Sequence, residues 1–236
     1  RAPSREAAAG LLPPVLGRET EIEQVIEPLC RRTKRNPALI GPAGVGKTAV
    51  VVGLEQRIVA DEVPALLAGS RLVALQPTSL VAGASVYGEL EKRLSKILEE
   101  ANQDGMLLFI DEVHSIIGAG GRAGSSDIAS QLKPVLARGE IACIVATTDM
   151  EYTRDIKRDH ALERRFNPVK INELSPEHTL EILRAMAGDE RMTRGVKVAD
   201  AVLDDLVRLS HRYLRNRHFP DKALDLFDQC VASALT

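Results

Sequence analysis

An eight-residue glycine-rich segment constrains the fold of this chain more than any other feature. Residues 41–48 read GPAGVGKT, which fits the phosphate-loop pattern G-x-x-x-x-G-K-[ST] without a gap. The apolar run Ala38–Ile40 precedes the segment, and Ala49–Val52 follows it. A phosphate loop needs a strand before it and a helix after it, so the segment predicts an α/β fold.

The residue types of this loop suit the binding of phosphate. Gly41, Gly44 and Gly46 let the backbone curl so that its N–H groups point towards an anion, and the following helix presents the positive end of its dipole. Lys47 is predicted to reach the β and γ phosphates of a nucleotide, and the Thr48 hydroxyl to bind Mg²⁺. The alternative is an ordinary glycine turn before a helix.

Short apolar strands alternate with helical patterns over the first two thirds of the chain. Helical spacing of apolar residues marks residues 89–101 and the segment up to Cys30. Strands that alternate with helices predict a parallel sheet with helices on both sides. Four strands are predicted: Ala38–Ile40, Leu72–Leu75, Met106–Ile110 and Ile141–Ala146.

The pattern changes near residue 171, after which the chain reads as helices only. Ser175 and Pro176 are typical of a helix start, and helices are predicted over 176–187, 200–213 and 220–234. We therefore predict a linker or arm over residues 1–11, a large α/β nucleotide-binding domain over 12–171 and a small helical lid domain over 172–236.

Composition narrows the classes of partner. The net charge is −2, aromatic residues make up 3% of the chain and Trp is absent, so neither nucleic acid nor a membrane surface is expected as a partner. No apolar stretch approaches the ~18 residues of a membrane span, and no signal peptide opens the chain. The five histidines lack metal-ligand spacing.

Cysteine usage and the chain ends add two expectations. The three cysteines lie far apart without a C-x-x-C pair, which is typical of buried thiols in a reducing compartment, and we expect a cytoplasmic protein. The sequence opens at Arg1 without a methionine and stops at Thr236 within a helical pattern, so we expect a piece of a longer protein.

Two carboxylates follow the predicted strand Met106–Ile110. In a phosphate-loop ATPase, an acidic residue in the position of Asp111 holds Mg²⁺, and a second carboxylate such as Glu112 polarises the attacking water. A pair of acidic residues at a strand end also fits a solvated loop start, and both interpretations stay open on these two residues alone.

Further polar residues follow later in the chain. Thr147 and Thr148 end the predicted strand that begins at Ile141, where a hydroxyl could orient the water or contact the γ-phosphate. Arg164 and Arg165 follow in LERRF. Such a pair is either a hydrated face or an arginine finger supplied to a neighbouring subunit.

The order of these parts resembles an AAA+ ATPase. More narrowly, the chain is similar to the first ATPase module of the Clp/Hsp100 unfoldases, the group that includes ClpB, ClpA, ClpC and ClpV. The resemblance covers the chain from about Leu12 to Ala234. It is carried by Val15–Glu19, Arg31–Pro37, Ala82–Ala84, Leu132–Pro134, Ala137–Glu140, Leu209–Tyr213 and Pro220–Ala223.

The resemblance implies an AAA+ three-layer parallel sheet domain and a helical lid, with ATP or ADP and Mg²⁺ as cofactors. It implies that Arg164 and Arg165 act in trans, because the family forms hexameric rings whose sites are complete only between subunits. Catalytic roles would fall to Glu112, Thr148, Arg164 and Arg165. Nucleotide would be bound by Val15, Leu16, Pro42, Ala43, Gly44, Val45, Gly46, Lys47, Thr48 and Asp111, and Mg²⁺ by Thr48 and Asp111.

Two departures from the family pattern concern the pore and the lid. Val86 stands where disaggregase-type members carry a substrate-gripping aromatic, and Tyr87 follows one residue later. The Ser85-Val86 pair at this position resembles the ClpV branch. Tyr87 either grips a polypeptide or packs at the base of its loop. Where many AAA+ lids carry an arginine, this chain has Asp221 and Lys222.

The resemblance favours a module of an ATP-driven homo-oligomeric ring that threads polypeptide substrates, with a possible adaptor or peptidase partner. The alternative is a nucleotide-gated scaffold that assembles the ring but hydrolyses little ATP. A DNA-acting motor is disfavoured by the near-neutral charge.

Overall fold

The computed structural model describes residues 15–32, 34–75, 95–102, 105–117, 125–138 and 141–236, and of residues 116–117 and 125–131 only the backbone. These residues form two compact units. The first contains the described residues up to Gly41 together with Thr48–Lys170, and the second contains Pro42–Lys47 and Ile171–Thr236. No helix within these ranges is long and apolar enough to cross a membrane.

A five-stranded parallel sheet forms the centre of the first unit. The strands run in the order β2-β3-β4-β1-β5, and every neighbouring pair is parallel. All five residues of β1 and of β4 are buried, as expected for central strands covered on both faces. The predicted parallel sheet is thus confirmed. Its strands are β1 (Asn36–Ile40), β2 (Arg71–Leu75), β3 (Met106–Ile110), β4 (Cys143–Thr147) and β5 (Phe166–Lys170).

The prediction of four strands missed β5, and it started β4 two residues early, at Ile141 instead of Cys143. Strand β5 lacks a continuous apolar run, because only Phe166 and Val169 among its five residues are buried. It pairs with β1 alone, at the edge of the sheet, where Pro168 is tolerated because an edge strand needs fewer N–H donors.

Helices surround this sheet. Helix α1 buries Ile22, Val25 and Leu29, the helical stripe that the sequence predicts. Residues 95–101 are also helical, whereas 89–94 of the predicted helix lie outside the described residues. A π-helical turn, Tyr152–Ile156, follows α5. The helices are α1 (Glu19–Leu29), α2 (Lys47–Val59), α3 (His114–Ile117), α4 (Ser125–Arg138), α5 (Asp149–Glu151) and α6 (His160–Glu163).

The core of the first unit is mainly aliphatic, with Phe166 and Cys143 among its buried members. Burial raises the pKa of the Cys143 thiol to about 12, so this thiol stays protonated and inert, as predicted. The same expectation is wrong for the other two cysteines, because Cys30 is half-buried and Cys230 is exposed.

The second unit is helical, and this confirms the predicted helical domain. It contains α7 (Pro176–Thr193), α8 (Asp200–Tyr213) and α9 (Asp221–Leu235). The Ser175 hydroxyl caps α7 by accepting a hydrogen bond from the His178 N–H, so the helix starts where the sequence predicts. It ends six residues later than predicted. These helices pack around Leu183, Leu203, Phe219, Ala223, Phe227 and Val231.

Candidate functional site

The phosphate loop connects β1 to α2, as the sequence predicts. Gly44 and Gly46 have φ values of +80° and +92°, a backbone region that residues with a side chain rarely adopt. The Lys47 ammonium donates a hydrogen bond to the Pro42 carbonyl oxygen at 2.8 Å, so it lies over its own loop. Val45 is fully buried. Ala43 is exposed, and Pro42 and Gly46 are half-buried.

Gly44 is also in contact with Asp221, the first residue of α9, within the second unit. The Asp221 N–H donates to the Gly44 carbonyl oxygen at 3.4 Å. A Cβ atom added at Gly44 would lie 2.8 Å from the Asp221 Cβ, closer than real Cβ atoms approach. Position 44 therefore requires glycine for its backbone angle and for this close approach.

In the first unit, Thr48 and Asp111 come together from sequence positions 63 residues apart. The Thr48 hydroxyl donates to Oδ2 of Asp111 at 3.3 Å. Thr48 lies in the first turn of α2, and Asp111 directly follows β3. Because β1, which precedes the loop, and β3 are parallel strands of one sheet, their carboxyl ends lie at the same edge.

Glu112 lies beside this pair in an unusual backbone conformation. Its φ of +49° is in the left-handed region, which is rare for a residue with a side chain. The Glu112 N–H donates to Oδ1 of Asp111 at 2.9 Å, and its carbonyl accepts from the Ser115 N–H. The Glu112 side chain is exposed and makes no hydrogen bond within the described part of the chain. Strain of this kind clusters at functional sites.

The end of β4 contains a hydrogen-bonded network that includes Thr148. Thr148 is the N-cap of α5, and its hydroxyl oxygen accepts from the Glu151 N–H at 3.4 Å. In return, Oε2 of Glu151 accepts from the Thr148 N–H and from the Thr147 hydroxyl, both at 3.1 Å. Nδ1 of His114 lies 2.9 Å from the same oxygen.

Neither Glu151 nor His114 was predicted as a site residue from the sequence. The signal was present, because Thr148 and Glu151 fit the capping-box pattern [ST]-x-x-[DE]. Burial raises the pKa of Glu151, but the hydrogen bonds from Thr148, the charge of His114 and the bond from Thr147 outweigh it, and the pKa lies below its ordinary value. Glu151 is thus an ionised acceptor at neutral pH.

The two adjacent arginines differ in their environments. Nε of Arg165 donates to the Ala137 carbonyl oxygen at 2.8 Å, near the C-terminal end of α4. Arg164 is exposed, and its guanidinium makes no hydrogen bond or ion pair within the described ranges. Neither arginine is bonded to Asp111, Glu112 or Thr148 among the residues that the structure describes.

Val15 and Leu16 are half-buried, at the beginning of the described chain. The Val15 N–H donates to Oε1 of Gln56, on α2, at 3.3 Å. Gly53, also on α2, allows this packing, because an added Cβ would lie 3.4 Å from the Val15 Cβ and 2.4 Å from Cδ1 of Ile22. The segment that contains Val15 is therefore held against the helix that follows the phosphate loop.

The predicted pore residues Val86 and Tyr87 lie outside the described residues. The predicted linker, residues 1–11, also lies outside them. Asp221 and Lys222 begin α9.

The sequence matches two family models. Residues 37–169 match the ATPase family associated with various cellular activities (AAA), and residues 175–236 match the AAA lid domain.

Curated relatives extend these matches across nearly the whole chain. The sequence is 50% identical over 224 residues to the ATP-dependent Clp protease ATP-binding subunit ClpC of Staphylococcus saprophyticus, and 51% identical over 231 residues to the chaperone protein ClpB of Meiothermus ruber. These matches cover 94% and 97% of this chain. The chain spans only 27% of the length of each relative.

Solved structures give the same result for the fold. An S. cerevisiae Hsp104–ADP complex has a TM-score of 0.89 at 41% identity, and an S. cerevisiae Hsp104–casein complex in an extended conformation has a TM-score of 0.86 at 41% identity. Each match covers 99% of this chain and 40% of the other.

Proposed function

The chain belongs to the AAA family, as an ATP-binding and ATP-hydrolysing module of the Clp/Hsp100 type, and we propose that Thr48, Asp111 and Glu112 lie at its catalytic centre. The observation that carries this assignment is the 3.3 Å contact between the Thr48 hydroxyl and the Asp111 carboxylate. It joins Thr48, the residue after the phosphate-loop lysine, to Asp111, at the acidic end of a buried strand. The sequence pattern around each of these residues predicts, independently of the other, a contact with a nucleoside triphosphate and its Mg²⁺.

Thr48 and Asp111 would hold Mg²⁺. Hydroxyl and carboxylate oxygens are the hard ligands that this ion prefers, so the donor set fits. When bound, the ion would neutralise charge on the β and γ phosphates. The backbone of Pro42–Gly46 and the Lys47 ammonium would bind the same phosphates, and the positive φ values of Gly44 and Gly46 support a loop whose N–H groups point towards an anion.

Glu112 would polarise the attacking water. Its side chain is exposed and unbonded in the described residues, while its backbone is fixed by the bond to Asp111. A carboxylate that is held by its main chain and free at its side chain suits a general base. Thr148 would contact the γ-phosphate or the water as a polar sensor.

Arg164 would be the arginine finger for a neighbouring protomer, and Arg165 would support it. The exposure of Arg164 and the engagement of Arg165 on Ala137 favour this division. A guanidinium placed against the transferring phosphoryl group stabilises its charge and contributes about 10³ to 10⁵ in rate where such fingers have been measured.

Val15 and Leu16 would lie against the adenine. The bond from the Val15 N–H to Gln56 supports this role, because it fixes the segment to the helix that begins at Lys47. We keep the boundaries 12–171 and 172–236 as the proposed extents of the large and small domains.

In the longer protein, we propose that the module works in a homo-hexameric ring that unfolds polypeptides by threading them through a central pore. The relatives' names, a chaperone and the ATP-binding subunit of a protease, support this class of activity, and a related structure holds casein. Val86 and Tyr87 would contact the polypeptide. An adaptor or a peptidase is a further possible partner. The competing proposal is a nucleotide-gated scaffold with little turnover.

Glu112→Gln in the full-length protein tests the assignment. We expect ATP binding to be retained, the turnover of this module to fall at least about a hundredfold, as for loss of a general base, and the assembled ring to be more stable. Phosphate release, nucleotide titration and the mass of the assembly measure these three effects. Glu62→Gln, which makes the same change at an exposed position of the same unit, is the control.

The difference in phosphate release between wild type and Glu112→Gln is the share that belongs to this module. Equal rates in the two proteins would show that Glu112 is not the catalytic carboxylate. Equal rates together with tight nucleotide binding would favour the scaffold.

A further inference from the structure

One oxygen atom of Glu151 connects the ends of two neighbouring strands. Oε2 accepts from the Thr147 hydroxyl and the Thr148 N–H at the end of β4, and it lies 2.9 Å from Nδ1 of His114, four residues beyond the end of β3. Thr147 is 3% exposed, so its hydroxyl depends on this acceptor. Strands β3 and β4 are direct neighbours in the sheet.

The network fixes the position of the Thr148 hydroxyl. Because its oxygen accepts the Glu151 N–H, one lone pair of that oxygen is occupied inside the protein. The Thr147 hydroxyl donates to the Glu151 carboxylate, and hydrogen bonds from both the side chain and the backbone of Thr148 lower the pKa of that carboxylate. Glu151 therefore holds the Thr148 side chain in place through its own N–H and through its carboxylate.

The network also reaches the segment that follows β3 and contains Glu112. His114 is two residues after Glu112, and the intervening Val113 donates its N–H to the Ala146 carbonyl at 3.1 Å. The contact between His114 and Glu151 adds a second link between the same two segments, on the side chains. The 2.9 Å separation between Nδ1 of His114 and Oε2 of Glu151 is an ion-pair distance, although the two atoms do not meet hydrogen-bond geometry.

We propose that Glu151 is a positioning residue for ATP hydrolysis, which holds the Glu112 segment and the Thr148 hydroxyl in register through His114 and Thr147. This inference rests on the proposed roles of Glu112 and Thr148. The lowered pKa of Glu151 agrees with it, because an ionised carboxylate is the stronger acceptor for the bonds from Thr147 and Thr148. A cap alone would be a weak reason for this arrangement, since α5 is three residues long.

Glu151→Gln in the full-length protein is the direct test. The amide oxygen can take the place of Oε2 but lacks its charge, so its hydrogen bonds from Thr147 and Thr148 and its contact with His114 are weaker. We expect kcat for the module's share of turnover to fall about 10- to 100-fold, the usual range for groups that orient catalytic residues. KM for ATP, affinity for ADP and the unfolding midpoint should stay close to those of the wild type.

Asp149→Asn is the matched control. It removes the same charge from the same short helix, at an exposed side chain that is not bonded to Thr147, Thr148 or His114. We expect kcat to be unchanged. An equal fall in kcat for Asp149→Asn and Glu151→Gln would overturn the proposal, because charge at the helix would then explain both.

Substitution of His114 tests the other end and does not depend on the folding of the Glu151 variant. His114→Ala should lower kcat, while His114→Asn, whose amide supplies a donor near the position of Nδ1, should restore a large part of it. Equal kcat in wild type, His114→Ala and His114→Asn would overturn the proposal. So would a Glu151→Gln protein that loses stability and nucleotide affinity but keeps kcat.

The result for Glu112→Gln distinguishes a failure of the proposed role of Glu112 from a failure of the proposed role of Glu151. If Glu112→Gln leaves turnover unchanged, the proposed catalytic role of Glu112 fails. If Glu112→Gln stops turnover and Glu151→Gln does not lower it, only the role of Glu151 fails.

Discussion

At the residue scale, the same side-chain type serves different purposes at neighbouring positions. Arg165 donates to the Ala137 carbonyl, one of the last carbonyls of α4, which have no partner within their own helix. Arg164 is exposed and unbonded in the described part of the molecule. An arginine that must reach another protomer needs to be free of partners within its own chain, so Arg164 fits the finger better than Arg165.

Gly44→Ala should destabilise the second unit more than a glycine substitution that brings only backbone strain. A left-handed φ costs a residue with a side chain about 1–2 kcal/mol. At Gly44 the new Cβ would also overlap the Asp221 Cβ, which cannot rotate away, and overpacking adds about 1–3 kcal/mol. The free energy of unfolding from denaturant titration, together with the affinity for ADP, measures the effect.

Gly195→Ala is the matched control for this prediction. Gly195 lies in the same unit with a φ of +71°, and an added Cβ there meets no atom within 4 Å. It should show the backbone strain alone and leave the affinity for ADP unchanged. Equal losses of stability in Gly44→Ala and Gly195→Ala would show that the approach of Asp221 does not constrain position 44.

The site residues that could be predicted from the sequence belong to short, recognisable sequence patterns. Lys47 and Thr48 follow a fixed pattern, and Asp111 and Glu112 directly follow an apolar strand, so their partnership could be predicted from strand order. The His114–Glu151 contact could not be predicted, because it joins positions 37 apart whose distance depends on the pairing of β3 with β4. The division between Arg164 and Arg165 depends in the same way on Ala137, a residue in another helix.

At the element scale, prediction succeeded where a strand contains an apolar run and failed where it does not. Each of the four predicted strands contains at least three consecutive apolar residues, even β2, in which only two of five residues are buried. Strand β5 buries two of its five residues and contains Pro168, so its local sequence resembles a loop. Its pairing with β1 depends on the tertiary structure, and no sequence pattern in Phe166–Lys170 predicts it.

The start of α9 contains an ion pair between the buried Lys222 and the exposed Glu173. Lys222 is 4% exposed, and its ammonium lies 2.9 Å from Oε1 of Glu173 and 4.1 Å from the centre of the Phe219 ring. The same Glu173 oxygen accepts the Phe219 N–H at 2.8 Å. Burial raises the pKa of Glu173, but the bonds from Lys222 and Phe219 and the charges of Lys222 and His218 outweigh it, so the pKa is lowered from 4.5.

The stability of α9 should therefore decrease at acidic pH. A carboxyl group whose folded pKa is lower than its unfolded value stabilises the folded state fully above the unfolded value of 4.5, and this stabilisation is lost as pH falls through the lower, folded value. Hydrogen exchange of the α9 amides at and below pH 4.5 should show a smaller opening free energy than at neutral pH. Glu173→Gln should reduce this pH dependence, because it removes the titrating group.

Glu181→Gln, at an exposed position on α7, is the control and should keep the wild-type pH dependence. The ion pair would not be the cause of the pH effect if Glu173→Gln and Glu181→Gln responded to acid alike. At neutral pH, Glu173→Gln should also destabilise α9, because it leaves the Lys222 ammonium buried without its counter-charge.

At the scale of the whole molecule, the proposed site would be completed by a neighbouring copy of the chain. Thr48, Asp111, Glu112 and Thr148 come from the ends of neighbouring parallel strands and the segments that follow them, whereas Arg164 is exposed and bonded to none of them in the described residues. If a neighbouring protomer supplies Arg164, catalysis becomes a property of each interface in the ring.

Mixing two inactive variants should restore turnover if the site is shared. In a protein with Glu112→Gln the finger is intact, and in a protein with Arg164→Ala the catalytic carboxylate is intact. A random equal mixture would then contain working sites at about a quarter of its interfaces, where an intact Glu112 faces an intact Arg164 of the neighbour. Phosphate release by the mixture should exceed that of either variant alone, provided that subunits exchange before the assay.

Subunits carrying both Glu112→Gln and Arg164→Ala, mixed in the same proportion with Arg164→Ala subunits, are the control and should restore nothing, because no subunit then offers an intact Arg164. Absence of recovery in the first mixture, with exchange verified by mass, would place the finger within its own protomer or show that Arg164 has no catalytic role.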